Sequence, residues 1–332
     1  MRVAFVVIGG VGYGYGHFKR VEAILPVLPN HIKVCIFSNI SFLKKNYSSV
    51  ISLKLFKLNN FPKLKKLIQD KGYDTIWFDL PDIFYKKIKI FHGLGSKLVS
   101  YNMFEKKTEN LLEDIAIYPR FSETTYNETK GKIKKFQLSG RDYIVVDPKF
   151  FYLKELKENK VVITMGGSDP KSFTELVVDS LLSLDPNLFK FKVILPKNKK
   201  KSDFNLKGLN KNSITFDNFE NLDFAHELKT SKLAIINGGN TRYECVASRT
   251  YFLALSIHKK QYDITGLTTK FGFGKNIGVF SKNKVKKLTE NIEKFVKLKK
   301  KNSKIIKSKI LSRKNSEIAV RKIFSIIYNN KF

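Results

Sequence analysis

The chain has 332 residues, more than one core of ordinary size holds, so two domains are expected. With 42% hydrophobic and 13% aromatic residues it carries enough apolar surface to fold, which excludes a disordered chain. A net charge of +33 suggests nucleic acid or an anionic surface as partner, yet only eight of the 62 basic residues are arginine, leaving 62 − 8 = 54 lysines spread along the chain; arginine is the residue of bidentate phosphate and base-edge recognition, so no specific nucleic-acid interface is expected.

The opening "MRVAFVVIGG" is too short for a signal h-region, and no stretch offers the roughly 18 uncharged residues of a membrane span. Cys35 and Cys245 lie in apolar stretches without C-x-x-C spacing and read as small core residues. The expectation is a cytoplasmic monomer without metal or cofactor, touching an anionic membrane at most peripherally. A basic and apolar stretch, "IFYKKIKIFHGLG" at 83–95, is the place for such contact, or an ordinary amphipathic helix and strand.

Short β-branched runs ("RVAFVVI", "IKVCIF", "DTIWFDL", "SKLVSY") alternate with amphipathic segments such as "FPKLKKLIQDKG", the pattern of βαβ units on a parallel sheet. A second series opens at "KVVITM" and continues through "FKFKVILP", "SITF", "KLAIIN" and "YFLALSI". Between them "LSGRDYIVVDPKFFYLKELKEN" carries a strand-like run into Pro148. The boundary is therefore placed near residue 152: two Rossmann-like α/β domains, 1–152 and 153–332, facing each other across a cleft, the second ending in the lysine-rich helices of the last fifty residues. "KNKKK" at 197–201 reads as a solvated loop. In such sheets ligands bind beyond the carboxyl ends of the strands, so glycine-rich turns after strands are the candidate sites.

Three such turns stand out. "GYGYGHFKR" (12–20) fails the dinucleotide pattern G-x-G-x-x-G in every frame, and Ser38 and Asn39 stand where an acid would close the second strand, which disfavours NAD. Gly14 and Gly16 then leave a turn that lets the backbone approach a ligand, with His17 near the start of a helix. The positive helix end would hold the imidazole neutral, the state of a general base, or His17 simply caps the helix. Arg20, one turn on, holds either a phosphate or an acidic neighbour. "TMGGSDP" presents Gly166 and Gly167, then Ser168 and Asp169 as caps and Pro170 at a first helical position, a turn that aims amides at an anion or merely starts a helix well. "INGGNTRYE" presents Gly238, Gly239, Asn240 and Thr241, with Glu244 one turn along, where it can accept from ribose hydroxyls or complete a capping box with Thr241. "LSIHKKQYD" adds His258, Lys260 and Gln261 at the next strand end.

With these turns in order, the sequence resembles the UDP-sugar hydrolases of the pseudaminic acid pathway, and more distantly the spore-coat polysaccharide proteins and the lipid II-forming N-acetylglucosaminyltransferase, all of the two-domain GT-B fold. The matching pieces are "GYGHFKR", "GRDYIVVDPKF", "GGSDP" and "GGNTRYE", from about residue 2 to about 280. The resemblance implies that UDP lies against the second domain, its diphosphate near Gly239, Asn240 and Thr241 and its ribose on Glu244, while His17 activates the attacking water. Gln261 is the one member of the family's Asn-Gln pair that carries over, Lys260 replacing the other. In "WFDLPDIF" Asp79 matches the family's acid near the substrate, but Leu80 and Pro81 follow where the family has a tyrosine. Ile8, Gly9 and Gly10 replace an early acidic motif. The implied activity is metal-independent hydrolysis of a UDP-linked acetamido or deoxy sugar in nonulosonic acid or surface-glycan synthesis; a UDP-sugar glycosyltransferase is the alternative.

Overall fold

The computed structural model describes residues 1–41, 51–129, 134–169, 172–185, 187–197, 199–205, 213–218, 222–297 and 311–329. The chain forms two compact units, Met1–Val145 with Lys314–Phe332, and Val146–Arg313.

The first unit begins with β1 (Arg2–Val7), α1 (Gly16–Ile24), β2 (Lys33–Ser38), β3 (Ile51–Leu55), α2 (Phe61–Gln69) and β4 (Thr75–Asp79). A 3-10 segment, Asp82–Phe91, leads to β5 (Lys97–Tyr101), β6 (Ile115–Pro119), β7 (Thr125–Glu128) and β8 (Phe136–Gly140). The eight strands lie in the order β3-β2-β1-β4-β5-β6-β8-β7, parallel except for the β7–β8 pair. Val3 to Val7 are all buried, as a parallel strand covered on both faces requires, which is why "RVAFVVI" reads as a continuous apolar run. The amphipathic "FPKLKKLIQ" forms α2, started by Asn60, whose side chain accepts from the Lys63 amide at 3.2 Å. The basic stretch at 83–95 forms neither a regular α-helix nor a strand. Ile88 and Phe91 anchor the 3-10 segment in the core beside Phe61 and Phe78, while Ile83 stays exposed.

The second unit contains β9 (Glu158–Thr164), α3 (Phe173–Ser180), β10 (Lys190–Leu195), β11 (Ile214–Asn218), α4 (Phe224–Thr230), β12 (Ser231–Ile236), α5 (Thr241–Ala247), β13 (Tyr251–Ser256), α6 (Lys259–Thr269), β14 (Gly274–Val279) and α7 (Lys282–Lys297). Its six strands are all parallel, in the order β11-β10-β9-β12-β13-β14. Counted within the unit this is 3-2-1-4-5-6, the doubly wound order, and the first six strands of the first unit repeat it. Each sheet therefore reverses its winding once, between β1 and β4 and between β9 and β12. The glycine turns of the sequence follow three of those four strands, and Asp79 ends the other.

Three sequence expectations are corrected. The run "DYIVV" is not a strand: Arg141–Tyr143 form a 3-10 turn, and Ile144 and Val146 are buried by packing rather than by a strand ladder. The units divide there, at Val145, instead of near residue 152. The last helix, α8 (Arg313–Asn329), belongs to the first unit and not to the second. Its Ala319, Val320, Ile323, Phe324 and Ile327 join the core that holds Phe5, Trp77 and Tyr101, and Trp77 stacks on both Tyr101 and Phe324 with ring centroids 5.7 Å apart in each pair. Apolar periodicity identified the helix but carries no address, so sequence alone attached it to its neighbour in the chain. Cys35 and Cys245 are both buried and free, and among the described residues no helix is long and apolar enough to cross a membrane. Of "KNKKK", Asn198 lies outside the described residues; Lys200 and Lys201 are exposed.

Candidate functional site

In the first unit the turn after β1 closes on itself. The amide of Gly10 donates to the carbonyl of Gly14 at 2.9 Å and the amide of Gly14 returns a bond to Gly10 at 2.8 Å. Gly10, Gly12 and Gly14 all have positive φ, and a Cβ on Gly9 would stand 2.7 Å from the Gly14 carbonyl. The expected open approach for a ligand is thus a small hairpin whose Gly10 and Gly14 amides are already used. Asn39, just after β2, locks its base: its side chain accepts from the Gly9 amide at 3.1 Å and donates to the Gly9 carbonyl at 2.8 Å. The position where a dinucleotide site would carry an acid instead fixes the turn.

This hairpin delivers His17 to the first turn of α1. His17 Nδ1 lies 2.6 Å from Asp79 Oδ1, and the Asp79 carboxylate is fully buried at the carboxyl end of β4. Arg20 donates from Nε to Asp79 Oδ2 at 2.9 Å and from Nη2 to Oδ1 in a short bond, with Nη2 also 2.8 Å from His17 Nδ1. At Nδ1 Asp79 can only accept and Arg20 can only donate, so the proton sits on Nδ1 toward Asp79 or Nδ1 accepts from Arg20; the shorter contact, 2.6 Å to Asp79 against 2.8 Å to Arg20, favours the proton on Nδ1. Nε2 then bears the lone pair and has no hydrogen-bond partner among the described residues. The side chain of His17 is 16% exposed. Burial first, and the Arg20 charge second, lower the His17 pKa below its usual 6.5, against the opposing pull of Asp79. The expected neutrality therefore has a different cause from the helix end invoked in the sequence reading.

Two residues expected at the ligand contact each other instead of facing open space. Asp79 has no exposed surface, and its oxygens face Arg20 and His17. Arg20, 8% exposed, takes the acidic-neighbour alternative.

In the second unit the turns after β9 and β12 are joined by a residue that the sequence reading passed over. Asn237 donates to the Met165 carbonyl at 2.7 Å and accepts from the Gly239 amide at 2.9 Å. Gly166, at φ +88°, and Gly238, at φ +77°, are positions that favour glycine. The first of these turns does not offer an empty helix start: Asp169 accepts from the amides of Phe173 at 2.9 Å and Thr174 at 2.8 Å, occupying the end of α3 itself. Ser168 is buried beside it, and the Gly167 carbonyl accepts from the Lys197 amide at 3.0 Å. Pro170, expected at a first helical position, lies outside the described residues; α3 begins at Phe173.

In the turn before α5, Asn240 is the N-cap residue and Thr241 the first helical one, so the Thr241–Glu244 capping box does not form. Glu244 keeps a partly exposed position one turn along. Arg242, 1% exposed, reaches back to the carbonyls of Gly238 at 3.0 Å and Gly239 at 2.8 Å, turning both inward. Thr265 of α6 also donates to the Gly238 carbonyl, at 3.1 Å. Gln261 is 6% exposed, and its Oε1 accepts from the Ile257 amide at 2.7 Å. Its Nε2 stands 3.7 Å from where a Gly239 Cβ would be, without a hydrogen-bond partner among the described residues. His258 caps α6, accepting from the Gln261 amide at 3.2 Å, and Lys260 is exposed. Gly239, Asn240, Thr241, Glu244 and Gln261 are thus gathered at the carboxyl edge of one sheet. Asn237 and Arg242 were not legible as their supports, because their partners are backbone groups that no side-chain motif encodes.

No family model matches the chain. It is 28% identical over 290 residues to the Helicobacter pylori protein named pseudaminic acid cytidylyltransferase and UDP-2,4-diacetamido-2,4,6-trideoxy-beta-L-altropyranose hydrolase, covering 84% of this chain and 48% of that one. It is 26% identical over 267 residues to an uncharacterized protein of Methanocaldococcus jannaschii, covering 74% and 54%. The chain spans about half the length of the curated relatives it matches. Solved structures similar to it include S. aureus MnaA with UDP (TM-score 0.64, 12% identity, 98% and 96% of the two chains) and the kitacinnamycin glycotransferase (0.62, 9%, 98% of each). Acinetobacter baumannii MurG is a third (0.57, 12%, 98% and 99%). Two parallel sheets of doubly wound order, each with its glycine turns at the winding reversal, give this chain the GT-B fold, and in sequence it is similar to the UDP-sugar hydrolases of the pseudaminic acid pathway.

Proposed function

We propose that the protein hydrolyses a UDP-linked acetamido or deoxy sugar, releasing UDP, in surface-glycan synthesis. The observation that carries this reading is His17, whose Nδ1 lies 2.6 Å from the buried Asp79 carboxylate while its side chain stays 16% exposed, and the reading takes Nε2 as the free base. Nε2 takes a proton from water as the water oxygen bonds to the anomeric carbon; the bond from that carbon to the diphosphate oxygen breaks, and UDP leaves with the electron pair. The second unit is assigned the nucleotide: Glu244 for the ribose hydroxyls, and the segment Gly239 to Thr241 with Gln261 Nε2 for the diphosphate. Gly14, Gly16, Gly166, Gly167 and Ser168 act as turn formers, and Gly238 as the pivot of the UDP turn. Support comes from the Helicobacter pylori relative, whose name includes a UDP-sugar hydrolase, and from a fold shared with a UDP co-structure.

The test is incubation with UDP-, CMP- and GDP-linked acetamido sugars in water, followed by NMR. Release of UDP from one of them, lost in His17→Ala, is the expected result; turnover that survives His17→Ala overturns the assignment of the base. A second reading, transfer to an acceptor hydroxyl, is favoured by the likeness to MurG and the kitacinnamycin glycotransferase. It predicts UDP binding without release until an alcohol acceptor is added.

A further inference from the structure

Asp79 serves two side chains at once, the His17 imidazole and the Arg20 guanidinium, and the second of them has no part in the chemistry proposed so far. An imidazole beside a buried carboxylate alone is drawn toward the charged pair, imidazolium with carboxylate, because that pair is neutral overall. A protonated His17 cannot accept a proton from water. Here Arg20 already neutralises the carboxylate through both its oxygens, using Nε and Nη2. A second proton on His17 would place an imidazolium with Nδ1 2.8 Å from the guanidinium. Arg20 is itself fixed: it is 8% exposed, and its guanidinium carbon lies 5.9 Å from the centre of the Tyr101 ring.

Two ion pairs lie among the other charges near the imidazole. Asp82, on the segment after β4, attracts a proton to His17 but is paired with Lys106 at 3.0 Å, and on α1 itself Lys19 and Glu22 pair with each other at 2.6 Å. Asp79 and Arg20 are the charged side chains in direct contact with the ring.

We infer that Arg20 is a positioning residue that reserves the Asp79 charge, so that His17 keeps one proton, on Nδ1, and presents a bare Nε2. The inference rests on the reading of His17 as base for its purpose, but not for its test. The lowered His17 pKa agrees with it. It also separates the arginine of "HFKR" from phosphate binding: Arg20 acts through Asp79 without touching substrate.

The experiment is a pH titration of the full chain labelled with 15N-histidine, the His17 signals being assigned among the five histidines by their loss in His17→Gln. In the wild type the nitrogen shifts are expected to report a proton on Nδ1 and a midpoint below 6.5. Arg20→Gln is expected to raise the midpoint by about one pH unit or more, and Arg20→Lys, which keeps the charge but not the fork, by less. A proton on Nε2 in the wild type overturns the inference without recourse to any variant. So does an Arg20→Gln midpoint equal to that of the wild type. Failure of every UDP-sugar to turn over would remove the hydrolase reading and leave this assignment of the ring intact.

Discussion

Asn237 donates its side-chain amide to the carbonyl of Met165 at 2.7 Å, tying the end of one strand to the end of its neighbour. Through its oxygen the same side chain holds the Gly239 amide, so two glycine turns share one support. Asn237→Asp keeps the shape but sets an oxygen against a carbonyl and brings a negative charge beside the turn assigned to the diphosphate. The expected loss is about 1–3 kcal/mol in urea denaturation, together with at least tenfold weaker UDP binding by calorimetry. Lost stability with unchanged UDP affinity would count against this turn as the nucleotide site.

Gly238 and Gly72 both have positive φ, +77° and +56°, but differ in the space around them. A Cβ at Gly238 would lie 2.5 Å from Thr265 Oγ1, whereas at Gly72 nothing stands within 4 Å. Gly72→Ala should cost only the backbone term, about 1 kcal/mol, and leave UDP binding untouched. Gly238→Ala should cost clearly more and abolish UDP binding, because Thr265 and the turn must separate. Equal losses in the two variants would show that the turn yields easily.

Asp79→Asn removes the charge that Arg20 pairs with and the acceptor that holds Nδ1–H. Turnover is expected to fall on the order of 10³-fold in kcat, with KM for the UDP-sugar little changed, since the second unit is untouched. Stability should fall by about 3–5 kcal/mol, the effect of leaving a buried guanidinium without its partner. A large rise in KM with kcat preserved would instead return Asp79 to a binding role.

Lys157 is half-buried in the second unit, donating to Thr250 Oγ1 at 2.8 Å, the Ser248 carbonyl at 3.0 Å and the Leu228 carbonyl at 3.4 Å. Burial lowers its pKa from the usual 10.5 to about 7. Below that value the folded chain bears the full disadvantage of burying the ammonium. Between about 7 and 10.5 only the unfolded chain holds the proton, so stability rises with pH across that window. Denaturation midpoints from pH 7 to 9.5 should climb in the wild type and lose that climb in Lys157→Met. Parallel curves for the two proteins would refute the assignment.

How far the sequence could be read depended on whether a pattern was local. The strand alternation, the amphipathic segment of α2 and the glycine turns were all legible, because each is set by residues within a few positions of one another. The pairing of His17 with Asp79 was not, since it joins α1 to β4 across 62 positions, although both residues had been singled out for other reasons. Asp169 was visible as a cap, and the structure gives it two amides; the same observation removes the free helix start that the glycines before it had suggested. The run "DYIVV" misled because apolar residues buried without a ladder look like a strand.

The return of α8 to the first unit has a consequence for how the protein is made. Phe5, Trp77 and Tyr101 leave the ribosome early, yet Phe324 and Ile327, which complete their core, come only after the whole of Val146–Arg313 has been synthesised. At about 5–20 residues per second the wait is on the order of ten seconds. During that time the second unit, continuous in sequence, can finish folding while the first keeps an apolar face of its sheet uncovered. The nascent chain is then at its most vulnerable in the half translated first, and a chaperone that shelters this face until the last helix arrives would matter more to yield than any substitution in the second unit.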